Sequence, residues 1–124
     1  MRLKQSRLKT YYHRKRTVQK NNEGGTYEEY GAASSFFGES WPASGKVQAQ
    51  QYGNRLSYMR NVKISDAYKT QSDEKGIVHY ILNNGADIVE LDGICLYTGA
   101  DKTPDYRIIA VKPYRFLTLE VERI

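Results

Sequence analysis

Apolar and polar residues alternate along most of this chain, and the alternation breaks repeatedly on turn-forming residues. Residues 8–19 carry Thr10, Tyr11, Tyr12, Thr17 and Val18 among charged neighbours, which predicts a strand with one wet face. Asn21-Asn22-Glu23-Gly24-Gly25 is a strong turn signal, because Asn and Gly accept the positive φ that tight hairpins need. A second extended run is expected over residues 26–37, broken by Gly31 and Gly38, and Trp41-Pro42 opens the next unit with a kink or an edge. Residues 56–64 read as a strand with Leu56, Tyr58, Arg60, Val62 and Ile64 on one face.

Residues 66–76 are charged and turn-prone, and residues 77–82 are a short apolar run of ambiguous type. Ile88-Val89-Glu90-Leu91 leads into Asp92-Gly93, a two-residue hairpin signal, and then Ile94-Cys95-Leu96-Tyr97. After a loop over residues 99–105, the clearest hairpin joins residues 106–111 to residues 115–121. In its second arm Leu117, Leu119 and Val121 share a buried face, while Thr118, Glu120 and Glu122 share the solvated one. Short strands at this spacing predict a mainly β fold, a small β-barrel or compact sandwich, with no helix of normal length. Trp41 is the expected aromatic anchor of the core.

One stretch fits neither period. Residues 44–54 run Ser, Gly, Lys, Val, Gln, Ala, Gln, Gln, Tyr, Gly, Asn, with too few large apolar groups for core and no clean helical face. It reads as a projecting loop, or as a strand that pairs only in an assembly.

The 124 residues suit one domain, 40% hydrophobic and 27% charged, with tyrosine in excess at 11 copies. The net charge of +5 is unevenly placed. Residues 1–20 hold eight basic side chains and no acid, so the basic character belongs to the N-terminal segment. Arg2, Lys4, Arg7, Lys9, Arg14, Lys15 and Arg16 make it a candidate contact for nucleic acid or an acidic partner, with residues 1–7 expected to be a flexible arm. The single cysteine, Cys95, excludes an intrachain disulfide and a multi-cysteine zinc site, and reads as a buried small hydrophobe. No apolar run approaches a membrane span or a signal core, so a soluble protein made without export is expected.

The order of segments from Arg14 to Ile64 resembles the head-to-tail joining proteins of long-tailed phages, the stopper or head-completion proteins. The resemblance is carried by the basic opening strand Arg14-Lys15-Arg16-Thr17-Val18 and the acidic hairpin Glu23-Gly24-Gly25-Thr26-Tyr27-Glu28-Glu29-Tyr30. Glu39-Ser40-Trp41-Pro42-Ala43, the Gln-rich Val47-Gln48-Ala49-Gln50-Gln51-Tyr52 and the strand Arg60-Asn61-Val62-Lys63-Ile64 continue it. Asp87-Ile88-Val89-Glu90-Leu91-Asp92-Gly93 and the closing hairpin over residues 106–123 complete it. The excursions at residues 66–86 and 97–104 are longer than in many such proteins.

The resemblance implies a structural virion protein at the head–tail interface, assembled in the host cytoplasm as a homo-oligomeric ring, hexameric or dodecameric. A portal or adaptor protein would lie above it and a tail-completion or tail-tube protein below, with transient contact to double-stranded genomic DNA and no membrane. It also implies that residues 44–55 line or gate the channel, through Ser44, Lys46, Val47, Gln48, Gln50, Gln51, Tyr52, Asn54 and Arg55. Neutral amides there would bond neighbouring backbone without gripping phosphate. A tail-completion or terminator protein of the same region is the near alternative.

Catalytic patterns are missing from the sequence. His13 and His79 have no metal-ligand spacing and are expected to be solvated strand histidines; Glu28 and Glu29 point to opposite faces of a strand. There is no nucleophile elbow, dinucleotide fingerprint or phosphate-binding loop, so no enzyme, cofactor or metal is expected. The rival reading is a nucleic-acid-binding barrel of the oligonucleotide-binding kind. It rests on Tyr11-Tyr12-His13-Arg14-Lys15-Arg16, Tyr106-Arg107 and Tyr114-Arg115-Phe116, and needs these segments to converge on one face.

Overall fold

The computed structural model describes residues 8–20 and 22–124, and it is mainly β, built on a closed six-stranded barrel. The elements are β1 (Lys9–Lys20), β2 (Thr26–Pro42), α1 (Lys46–Tyr52), β3 (Met59–Ile64), β4 (Tyr68–Ser72), β5 (Val78–Leu82), β6 (Asp87–Ile88), β7 (Gly93–Cys95), β8 (Tyr106–Pro113) and β9 (Leu117–Arg123). Strands run β1-β2-β3-β9-β8-β7 around the barrel, and β7 closes it by pairing antiparallel with β1. β4, β5 and β6 form a separate small sheet inserted between β3 and β7.

The barrel interior is filled. Inward side chains of alternate positions meet there: Phe36, Val62, Ile64, Ile94, Ile108, Leu117, Leu119 and Val121 are essentially inaccessible to solvent. The last hairpin therefore packs on the face its alternation predicts. The small sheet covers one end of the barrel. Its Leu82, Ala86 and Ile88 join the same core, the Tyr68 hydroxyl donates to the Tyr114 carbonyl, and the Asn84 amide donates to the Ser35 carbonyl at 2.7 Å. Register places Tyr11, Arg60 and Tyr106 towards the opposite end, where the Arg60 guanidinium lies over the exposed Tyr97 ring.

Several expectations are corrected. Gly31 and Gly38 do not interrupt β2, which runs on for 17 residues through Trp41 and ends at Pro42. Gly38 instead allows close packing: a Cβ there would stand 2.6 Å from the Lys63 carbonyl oxygen. Trp41 is half-buried on the outside of the barrel, under the Lys63 ammonium, and the buried aromatics of the core are Phe36, Tyr11 and Tyr106. β3 begins only at Met59, because residues 53–58 form a 3-10 turn. Residues 66–76 are not all loop, since β4 lies within them.

Asp92-Gly93 is not a hairpin turn, because β6 pairs with β5 and β7 pairs with β1 and β8. The strain falls one residue earlier, on Leu91 at φ 75. Gly93 is required for space: a Cβ there would sit 2.4 Å from the Pro104 ring. Asp92 is turned inward as a buried bracket. Its carboxylate accepts from the backbone of Arg16 (3.0 Å) and Val89 (3.1 Å) and lies 2.7 Å from His13 Nε2. His13 is thus buried and paired, not solvated.

Candidate functional site

The segment over residues 44–55 is where the structure departs furthest from the sequence reading. It is not a projecting loop. Lys46–Tyr52 is a short helix and Gly53–Tyr58 a 3-10 turn, and together they lie against the outer face of β3 and β9. The physical reason sits on β9. Glu120 alternates outward, away from the core, yet is only 3% exposed because α1 covers it. The Tyr52 hydroxyl donates to Glu120 Oε1 at 2.9 Å and the Gln48 amide to Oε2 at 2.6 Å, while Lys112 Nζ stands 3.6 Å away. Gln48 also donates to the Asn61 side chain at 2.7 Å and accepts from the Ser44 backbone at 3.1 Å.

This arrangement stabilises a helix that its own propensity would not support at seven residues. Tyr52 packs with Ala43 and Met59, and burial followed by the bond to Glu120 pushes its hydroxyl up to about 12. Arg55 closes the far end with a two-pronged pair to Glu122 at 2.7 and 2.9 Å, which holds the Glu122 carboxyl below its usual range. Lys46, Val47, Gln50, Gln51 and Asn54 face solvent. Between α1 and the strands lies a groove of about 270 Å³, bordered by Trp41, Val47, Gln51, Lys112 and Tyr114 with Glu120 at its base.

The basic segment is dispersed. Arg2, Lys4 and Arg7 lie outside the described residues, and Lys9 is exposed at the start of β1. Arg14 is committed internally, donating to the carbonyls of Gly31 (2.7 Å), Lys102 (2.8 Å) and Tyr30 (3.0 Å), where a register shift between Arg14 and Arg16 leaves room for it. Lys15 bonds Asp87 at 2.6 Å and Arg16 bonds Glu28 at 3.1 Å. The aromatic–basic segments do not converge. Tyr11 and Tyr106 are buried in the core, whereas Tyr114, Arg115 and Phe116 form the β8–β9 turn beside the small sheet.

The element that leaves the barrel is one the sequence reading treated as ordinary strand. β1 touches β7 only through residues 12–14, and β2 touches β3 only from Gly38 onward. Beyond the register shift the two strands continue alone, from Arg16 opposite Tyr30 to Lys20 opposite Thr26. Five pairs at about 3.4 Å per residue make a ribbon roughly 15 Å long. Its residues 17–20 and 26–29 are all exposed, Val18 and Tyr27 included. Among the described residues, the backbone of residues 17–20 and 26–29 pairs only within the ribbon. Each side therefore presents an open strand edge.

A cluster ties the base of this ribbon to the small sheet. His79 Nδ1 lies 2.9 Å from Asp87 and its Nε2 lies 2.9 Å from Asp73, while Lys15 bonds the same Asp87. The bonds to Asp73 and then Asp87 raise the His79 pKa, and His79 in turn lowers that of Asp73. Burial acts to raise the Asp87 carboxyl, but Lys15 and His79 outweigh it and hold it low. His79 is a cross-link between two carboxylates, not the solvated side chain expected. No group of three or more His, Cys, Asp or Glu suited to holding a metal occurs among the described residues. Cys95 is buried as expected, and burial raises its thiol pKa.

Compared with known proteins, the chain matches no family model, no curated protein and no solved structure.

Proposed function

We propose that this protein is a structural subunit that works by assembly, a β-barrel ring component of a phage head–tail connector of the stopper or head-completion type. The observation that carries the assembly reading is the ribbon. Two strands with exposed side chains and two open edges gain little by ordering in water, and an isolated two-stranded hairpin is marginal at best. A partner that covers those edges supplies what the single chain lacks. The connector assignment adds the order of segments from the basic first strand to the closing hairpin.

On this reading the element reaching out of the subunit is the ribbon, and the α1 segment belongs to the subunit's body. The barrel interior is filled by side chains, so the DNA channel lies between subunits and not within one. Portal or adaptor above and tail component below remain the partners of the proposal. The test is light scattering and negative-stain imaging of the purified chain, alone and with double-stranded DNA across a salt series. Closed rings with a central opening and weak DNA binding are expected. A monomer that binds oligonucleotides tightly, with a steep salt dependence, would replace this reading with a nucleic-acid-binding one.

A further inference from the structure

The two edges of the ribbon differ in charge, and that difference selects how copies meet. The β1 edge carries Arg16 and Lys20 with no acid; the β2 edge carries Glu28 and Glu29 with no base. Strand edges of this kind accept another strand through backbone hydrogen bonds. Two β1 edges facing each other would set basic side chains against basic ones, and two β2 edges would set carboxylates against carboxylates. Only the mixed pairing brings opposite charges together.

We infer that the ribbon is the self-association surface, with residues 17–20 of one copy adding to residues 26–29 of the next in an antiparallel, head-to-tail sheet. The inference rests on the assembly reading above and names its interface. Repeating the register used within the chain places Lys20 of one copy beside Thr26 of the next. Lys20 then approaches Glu28 of the next copy on one face of the continuous sheet, a carboxylate that Arg16 of its own chain bonds from the other side. Every copy keeps one donor edge and one acceptor edge, so the contact is heterologous. Such a contact closes into a ring or runs on as a filament, and does not stop at a symmetric dimer.

The edges can be told apart by cysteine placement. Lys20→Cys and Thr26→Cys each put one thiol on one edge, while the native Cys95 is buried and stays unreactive, as the wild-type chain will report. Each variant is treated with a bismaleimide short enough to join neighbouring strands only, first alone and then as an equimolar mixture. The mixture should yield a cross-linked pair at least about tenfold more abundantly than either variant alone, since each single variant has its thiols on non-meeting edges. Sedimentation of the wild-type chain should show association that weakens as salt rises.

Cross-linking of either single variant with itself would overturn the head-to-tail pairing. A mixture that stays uncross-linked, while the wild-type chain still forms rings, would overturn the ribbon interface and leave the assembly reading standing. A wild-type chain that remains monomeric at every concentration and salt would overturn both.

Discussion

Two segments of this molecule exchange the roles their composition suggests. Residues 44–55 are rich in Gln and Gly and look like a loop, yet they fold onto the barrel wall through Tyr52, Gln48 and Arg55. Residues 16–30 look like ordinary alternating strands, yet much of their length stands in solvent with no third strand beside it. The difference lies in what each finds across from it. The first meets a buried carboxylate with unfilled acceptor capacity; the second meets water. Polarity therefore reports a segment's own chemistry, whereas its position depends on partners far away in sequence.

Glu120 is the place to break that contrast. Glu120→Ala leaves the Tyr52 hydroxyl and the Gln48 amide without their acceptor under a covered surface, and should cost about 2–4 kcal/mol in urea unfolding. Glu29→Ala, a carboxylate of the same charge on the ribbon, should change stability by about 0.5 kcal/mol or less. A comparable loss at both positions would mean that the covering of Glu120 adds nothing. Tyr52→Phe keeps the ring in its contacts with Ala43 and Met59 and removes only the hydroxyl, for an expected loss of about 1–1.5 kcal/mol.

Limited trypsin digestion sharpens the same contrast. Among the described residues of the dilute, unassembled chain, cleavage at Lys20 in the ribbon should precede cleavage at Lys46 or Arg55, which the Glu120 and Glu122 contacts hold in place. In Glu120→Ala the order should narrow or reverse. Early cutting at Lys46 in the wild-type chain would restore the loop reading.

Alternation made the barrel legible where the buried face was purely apolar. Leu117, Leu119 and Val121, or Val62 and Ile64, announce their face without help from context. It failed where burial came from outside the strand. Glu120 sits on the polar face and is still covered, because the Gln48 and Tyr52 side chains of a helix far earlier in the chain lie over it. His13 and Asp92 failed for a related reason: a hydrogen-bonded pair 79 residues apart has no local pattern. The Asp-Gly dipeptide misled because its Gly answers to a close approach by Pro104 and not to a turn. The ribbon was legible as strand but not as protrusion, since only the register with β3 and β7 reveals where the barrel ends.

That register also gives the next test. Thr17 and Glu29 are cross-strand partners, so residues 18–28 can be replaced by Asn-Gly, a two-residue turn suited to a hairpin. The shortened chain should keep the barrel within about 1 kcal/mol of the parent, because every described residue removed is exposed at the surface. Self-association should be lost. An unfolded product would show that the ribbon supports the core, and intact assembly would move the interface elsewhere.

The smallest expected effect comes from the ribbon's base, where Lys15 and His79 share Asp87. The His79 pKa is raised in the folded chain, so its charged form stabilises the link between the small sheet and β1. That contribution is complete below the ordinary histidine pKa, about 6.5, and disappears as pH rises through the raised value. Asp73 and Asp87 act in the opposite sense. Their lowered pKa values make their contribution complete above about pH 4 and lose it on further acidification. The urea midpoint of the wild-type chain should accordingly fall as pH rises above about 6.5, and His79→Gln should flatten that decline and also weaken the loss below about pH 4, because His79 helps to hold both carboxyls low. Because Asp73 and Asp87 are both partly open to water, the change should be smaller than that of Glu120→Ala. An unchanged slope in His79→Gln would place the pH dependence elsewhere and reduce the bridge to a contact with no energetic weight, leaving the ribbon's base held by Lys15 and the Asp92 bracket alone.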